Sequence, residues 1–314
     1  MYLSIIVPCF NEEAVIAETH RRITDVMKGL DNFYEIIYVN DGSRDNTLSL
    51  LKSFVKTEVN IKILDFSRNF GHQSAVSAGL ANSLGEFAAI IDADLQDPPE
   101  CILKMLEKAE KEKADVVYGV REVRKGETWF KKMTAKLFYR MLNYFSEYEI
   151  PVDTGDFRLM RRNVVDAFNQ LPERQKYIRG LVAWLGFKQI PMFYKREARF
   201  AGETHYPFFK MVSFAMRGLL YFSKKPLQIS TNIGISCVIF ALLFLVISFV
   251  RYFIDKSSFT SGWTSTITLV VFFGGIQLIT IGVLGAYLGN LFDEVKGRPE
   301  YIVKKIYNSI DEKI

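Results

Sequence analysis

The chain has 314 residues, with 40 Lys and Arg against 35 Asp and Glu, a formal charge of +5 that is too mild to argue for a nucleic-acid partner. Its three cysteines, Cys9, Cys101 and Cys237, lie far apart with no CxxC or zinc spacing, which excludes a thiolate metal centre and suits a reducing cytosol. Hydrophobic residues make up 49% of the chain and are unevenly placed, so the length reads as one large domain with an apolar appendage.

The opening "MYLSIIVPCF" has no basic start and too short an apolar run for a signal peptide. From there apolar, β-branched runs at residues 3–7, 35–39, 61–66, 87–91 and 115–120 predict strands, and residues 12–28, 47–56, 73–83 and 99–112 predict helices. Such alternation predicts an α/β domain with a doubly wound, mainly parallel sheet, whose ligands sit beyond the C-terminal strand ends. Those ends read "VPCFNEE", "VNDGSRDNT", "DFSRNFGHQSA", "DADLQDPPE" and "YGVRE". No GxGxxG follows the first strand and no GxxxxGK[ST] occurs, so neither a Rossmann dinucleotide site nor a P-loop is supported.

The fourth end carries the chemistry. Strand alternation is expected to turn Asp92 and Asp94 to one side, with Ala93 between them, while Asp97 before Pro98 is expected to cap the next helix. Two carboxylates side by side repel unless a cation lies between them, and Mg²⁺ or Mn²⁺ suits oxygen ligands plus substrate phosphates. His72 reads as an ordinary helix-start residue and His20 as a surface residue; "NDGS" is turn chemistry that Asp41 could serve alone.

After residue 120 the alternation stops. Residues 125–148 predict an amphipathic helix, and residues 152–168 bring two acids, a glycine and a short helix. Residues 189–207 predict a strand with a basic loop, and residues 206–225 predict amphipathic interfacial helices. No charge occurs over residues 226–250 or 257–292, so each run can span a bilayer; core helices of that length normally carry a polar stripe. Lys210, Arg217, Lys224 and Lys225 precede the first run and Lys296, Arg298, Lys304 and Lys305 follow the second, which predicts a two-helix transmembrane hairpin with both ends cytoplasmic. The expected division is a cytoplasmic catalytic domain over 1–205 and juxtamembrane helices over 206–227. Two spans within 228–292 follow (about 228–253 and 264–290), then a cytoplasmic tail over 293–314. Gln277, inside the second span, is expected to pair with another helix, in this or another subunit.

The segments "SIIVPCFNEE", "VNDGSRDNT", "DADLQDPPE" and "YGVR", in this order, resemble the family 2 inverting glycosyltransferases of GT-A fold. "DTGDFRLM", "REARFAGETHYP" and "LGAYLGNLFDEVKGRPEYIV" narrow the resemblance to polyisoprenyl-phosphate glycosyltransferases related to dolichol-phosphate mannose synthase, nearest the bacterial bactoprenol glucosyltransferase branch. The resemblance covers essentially the whole chain. It implies that Pro8, Asn11, Glu12 and Asp41 serve the base and ribose of a UDP-sugar, with Asp92 near the donor. It further implies Asp94 as the principal ligand of Mg²⁺ or Mn²⁺, Gln96 as its helper, and Arg121 and Arg199 as phosphate-binding groups. Asp156, with Asp153 second, is expected to orient the acceptor or take a residual proton, although either acid could be a loop or cap residue. Where the family often has Lys after a GxS/T segment this chain has His205. The implied partners are a UDP-sugar, undecaprenyl phosphate and the inner membrane, with a homo-oligomer, a tetramer in the family, and no nucleic acid.

Two rivals bear on the same residues. A processive polysaccharide synthase would carry QxxRW, but "ERQKYIRGLVAW" places Arg179 one position too far from Gln175, with no tryptophan after it. A non-catalytic membrane scaffold binding a nucleotide-sugar would not need Asp92, Asp94, Arg121 and Arg199 together. The sugar itself is open: glucose, aminoarabinose, N-acetylglucosamine and mannose all fit.

Overall fold

The structure, a computed structural model, describes residues 1–30, 33–121, 154–174, 176–195, 225–254 and 262–308. The expected amphipathic helices over 125–148 and 206–225, and the residues Asp153, Gln175, Arg199 and His205, lie outside these.

The first unit is an α/β fold, with strands and helices alternating as the periodicity predicts. In chain order it contains β1 (Leu3–Cys9), α1 (Ile16–Met27), β2 (Tyr34–Asn40), α2 (Thr47–Thr57), β3 (Ile61–Phe66) and α3 (His72–Ala81). Next come β4 (Phe87–Ile90), α4 (Glu100–Lys111), β5 (Val116–Arg121), β6 (Thr154–Arg161), α5 (Arg162–Asn169), α6 (Ile178–Trp184) and β7 (Gln189–Tyr194). The eight-stranded sheet runs β7-β5-β6-β4-β1-β2-β3-β8, where β8 is Val303–Asn308. Four pairings are parallel (β1–β2, β1–β4, β2–β3, β5–β7), and β6 runs antiparallel to both β4 and β5. Continuous apolar strands suit a sheet covered on both faces, and every residue of β1 and β2 is buried. Leu3, Ile5, Val7, Ile16, Ile23, Ile36 and Phe87 form the heart of the core, each such side chain contributing about 1.5–3 kcal/mol.

Two elements and one residue differ from expectation. Residues 154–161 form a strand, β6, because the sheet buries even its Asp156 and Arg158; the charges hide the apolar alternation. Residues 303–308, assigned to a tail, pair antiparallel with β3 as β8. His20 is buried, not on the surface: its ring stacks on Phe54 at 4.0 Å and bonds the Tyr38 hydroxyl at 3.0 Å and Glu58 at 3.1 Å.

The second unit contains α7 (Lys225–Ile254) and α8 (Trp263–Val295), two long apolar helices. Within them Leu227–Phe244 and Phe272–Val295 are long and apolar enough to cross a membrane. Their apolar side chains face outward, Phe240 at 58% and Ile281 at 64% exposure, and Gln277 is exposed among them.

Candidate active site

From β1 the chain runs to β2 and β3 on one side, then crosses to β4 on the other. The C-terminal ends of β1 and β4 therefore diverge, leaving the crevice where open α/β sheets bind ligands. A cleft of about 490 Å³ lies there. Pro8, Asn11, Glu12, Asp41, Asp92 and Asp94 line it, joined by His72.

The cleft walls are latched loop to loop. Asn11, at a left-handed φ of 57°, accepts the Arg44 amide at 2.9 Å while its own amide donates to Ser43 Oγ at 3.0 Å. The Glu12 amide donates to Thr47 Oγ1 at 2.8 Å, and the Glu13 amide to Asp45 Oδ2 at 3.1 Å. Thus "NEE" and "NDGSRDNT" close on each other, which satisfies backbone donors at two loop ends. Asp41 is buried and accepts the amides of Phe70 at 2.6 Å and Gly71 at 2.9 Å, so it also shapes the β3–α3 loop. Burial raises its pKa against those two bonds.

The acidic segment is a turn and not the end of a strand, which corrects the alternation argument. β4 stops at Ile90, and Leu95 adopts φ 58° with its side chain buried. A left-handed leucine costs about 1–2 kcal/mol, a strain typical of functional turns. The turn brings Asp92 and Asp94 to the same cleft even so. The Gln96 amide donates to Asp94 Oδ1 at 3.1 Å, and Gln96 is itself buried. Asp97 does not cap α4, whose N-cap is Pro99 without a side-chain bond; it accepts the Tyr194 hydroxyl. Burial pushes Asp92 up to about 6, with His72 opposing and Asp156, Asp97 and Asp94 adding to the rise.

Asp156 sits on β6 beside this turn in a different environment. It accepts Arg179 Nε at 2.8 Å and Gln73 Nε2 at 2.9 Å, and His72 Nε2 lies 3.2 Å away. Burial alone would raise its pKa, yet His72 and the Arg179 guanidinium hold it well below the carboxylate range. Gln73 also accepts the Ile178 amide at 3.0 Å, and Arg179 donates to the Thr154 carbonyl at 2.9 Å, so α3 and α6 are stapled to β6. His72 Nε2 stands 3.6 Å from Asp92 Oδ1 and bridges the two acids; burial lowers its pKa, but Asp156 and Asp92 raise it further.

Arg121 ends β5, half-buried, with Nε 3.4 Å from the Tyr194 hydroxyl. Burial would lower its pKa, but Tyr194 and Asp97 keep it raised. Sequence reasoning passed over His72, Gln73, Arg179 and Asp97 as site residues. The available signal was "GHQ" at a strand's C-terminal exit, a polar start to a helix that is otherwise almost all small and apolar.

Among the described residues no three His, Cys, Asp or Glu side chains converge on one point as a complete metal site. Asp92 and Asp94 nevertheless fit a hard divalent cation that keeps water and takes diphosphate oxygens, since two carboxylates line the same cleft and such ions take one or two carboxylates plus substrate phosphates.

Residues 4–168 match the family described as "Glycosyl transferase family 2". The uncharacterized glycosyltransferase YkcC of Bacillus subtilis is 48% identical over 306 residues, 97% of this chain and 94% of its own. The bactoprenol glucosyl transferase of Shigella phage SfII is 37% identical over 305 residues, 97% of this chain and 98% of its own. Among solved structures, Staphylococcus aureus TarS 1-349 in complex with UDP-GlcNAc superposes with a TM-score of 0.48 at 17% identity, covering 70% of this chain and 66% of that one. The chain belongs to glycosyl transferase family 2. Within it, this glycosyltransferase is related over its full length to bactoprenol glucosyl transferases.

Proposed function

We propose that the protein is an inverting polyprenyl-phosphate hexosyltransferase. It moves a sugar, glucose by the branch it resembles, from a UDP-sugar to the phosphate of undecaprenyl phosphate at the cytoplasmic face of the inner membrane, for modification of cell-envelope glycans. The observation that carries this reading is the meeting of Asp92 and Asp94 with Pro8, Asn11, Glu12 and Asp41 in one cleft. The bactoprenol named for its phage relative supports the acceptor.

A phosphate oxygen of the lipid attacks C1 of the sugar from the face opposite the nucleotide, the C1–O bond to the diphosphate breaks, and UDP departs. Asp92 and Asp94 would hold Mg²⁺ or Mn²⁺, with Gln96 fixing the Asp94 carboxylate from behind. When bound, the ion neutralises charge growing on the diphosphate. Arg121, with Arg199 by family resemblance, supplies fixed positive charge for phosphate oxygens. The acceptor needs no strong base, because a phosphate monoester with a second pKa of about 6 is already largely ionised near neutrality. Of the two roles expected for Asp156, its depressed pKa favours orientation: it anchors His72 and Arg179 and is a poor proton acceptor.

A polyprenyl chain delivers its phosphate at membrane height, which accounts for a catalytic α/β unit joined to α7 and α8 as a transmembrane pair. Exposed Gln277 supports association of that pair with further helices, in a homo-oligomer that the family resemblance makes a tetramer. The test is incubation with radiolabelled UDP-glucose, polyprenyl phosphate and Mg²⁺. Labelled lipid released by mild acid is the expected product. Labelled polymer would favour a synthase, and no product from any donor in a panel of UDP- and GDP-sugars would leave only a binding scaffold.

A further inference from the structure

Asp97 and Tyr194 lie 97 residues apart in the chain, yet the Tyr194 hydroxyl donates to Asp97 Oδ1. Both side chains are buried, at 1% and 4% exposure. The same hydroxyl oxygen faces Arg121 Nε at 3.4 Å, and Tyr194 stands directly opposite Arg121 in the parallel register of β5 and β7. The ring packs edge-on against Phe157, with centroids 5.4 Å apart.

Two glycines make this arrangement possible. A Cβ on Gly155 would sit 2.8 Å from Arg121 Nη2, and one on Gly119 would sit 2.8 Å from both the Phe157 and Tyr194 rings. Removing either hydrogen for a methyl would displace the guanidinium or the phenol. The hydroxyl itself adds nothing to packing that a phenylalanine would not supply. A phenol has one proton to give; with that proton committed to the Asp97 carboxylate, the oxygen lone pairs are left to face the guanidinium.

We propose that Tyr194, oriented by Asp97, is a positioning residue that aims the Arg121 guanidinium at the anionic group bound in the cleft. This rests on the reading of Arg121 as a phosphate-binding residue. A long arginine side chain ordinarily samples many rotamers, and a part-buried hydrogen bond at Nε restricts them and favours one direction for the two terminal nitrogens, as bidentate contact with phosphate oxygens needs.

The experiment is a double-mutant cycle on the full-length protein in detergent, with Tyr194→Phe, Arg121→Lys and the pair, scored on whichever sugar donor the parent turns over. Tyr194→Phe keeps the ring and its contacts but takes one donor from the buried Asp97 carboxylate, so circular dichroism and thermal unfolding confirm the folded state at the assay temperature before either readout is scored. The substitution is expected to lower kcat/KM roughly tenfold in the parent, the scale of a lost hydrogen bond to a charged group, and to have almost no effect once Arg121 is lysine. Equal losses in both backgrounds would overturn the proposal. A second readout needs no turnover: modification of Arg121 by phenylglyoxal, followed by peptide mass spectrometry, should accelerate several-fold in Tyr194→Phe. An unchanged rate would also overturn it. If Arg121→Lys leaves activity intact, the phosphate reading of Arg121 fails by itself, while the labelling result still judges whether Tyr194 holds the guanidinium.

Discussion

Asp156 and the Asp92–Asp94 turn occupy neighbouring positions, on β6 and just beyond β4, and their electrostatics are opposite. Asp156 is enclosed by donors from Arg179, Gln73 and His72, and His72 and Arg179 hold its pKa far down against burial. Asp92 has His72 opposing at 3.6 Å, and burial, with Asp156, Asp97 and Asp94 adding to it, raises its pKa to about 6. One acid is neutralised by partners within the fold; the other has three acidic neighbours set against His72. In the proposed reading, Asp156 builds the site and Asp92 and Asp94 act in it.

The sharpest way to break this distinction is Asp94→Ala. If the turn acts on a bound donor, transfer should fall by about a thousandfold or more, the scale of losing electrostatic stabilisation of the leaving group. The fold should be untouched, since Asp94 lies at the cleft surface. Circular dichroism checks the fold and lipid-linked product checks the activity. Turnover that persists in this variant, or in the parent with excess chelator, contradicts the role given to the turn.

Asp156→Asn probes the other side. Removing the charge leaves Arg179 paired with a neutral amide in a buried setting, and breaking a buried pair from one side costs about 3–5 kcal/mol. Thermal unfolding in detergent should therefore drop by several degrees. Asp92→Asn is the control that sharpens the contrast: it relieves repulsion among Asp92, Asp94, Asp97 and Asp156, so stability should hold or rise while transfer is lost. If the two substitutions destabilise equally, the division between structural and acting acids is wrong.

This contrast also explains what could be read from the residues alone. The β–α alternation through residue 121 was legible because each strand is a short run of Ile, Val, Leu and Ala bounded by turn residues. The acids of "DADLQD" were legible as a cluster because two of them stand one residue apart just past an apolar strand, and both do line the cleft, whereas Asp97, read as a helix cap, bonds Tyr194 instead. β6 was not, since Asp156 and Arg158 interrupt its apolar pattern and the burial of Asp156 depends on partners from α3 and α6, outside the strand's own sequence. His72 was hidden for the same reason. A histidine at a helix start says nothing until the fold brings Asp156 and Asp92 within reach of one nitrogen. β8 escaped because "VKKIYN" is half charged or polar and becomes a strand only by pairing with the open side of β3.

Glu300 offers the smallest effect and a clean test of whether a raised carboxyl pKa by itself marks an acting acid. It lies where the chain leaves α8 for β8. Beside it Tyr301 stacks on Phe66 at 5.2 Å and the Ile302 carbonyl accepts the Ser67 amide at 3.0 Å. Burial pushes the Glu300 pKa up to about 7 against the pull of the Ser77 hydroxyl and Lys176. No neighbouring carboxylates contribute, unlike at Asp92. The unfolded chain releases this proton near its ordinary value of 4.5 and the folded protein near 7. Between those limits the folded state binds more protons, so stability is full below the lower one, falls as pH rises, and stays reduced above the upper one. With allowance for water reaching a partly buried group, the deficit is about 1–2 kcal/mol. Glu300→Gln should therefore match the parent near pH 4.5 and exceed its unfolding midpoint by a few degrees at pH 8, with transfer activity unchanged. A midpoint difference that does not vary with pH would show that Glu300 is charged and paired in the folded protein, and a loss of transfer would place it among the acting acids instead.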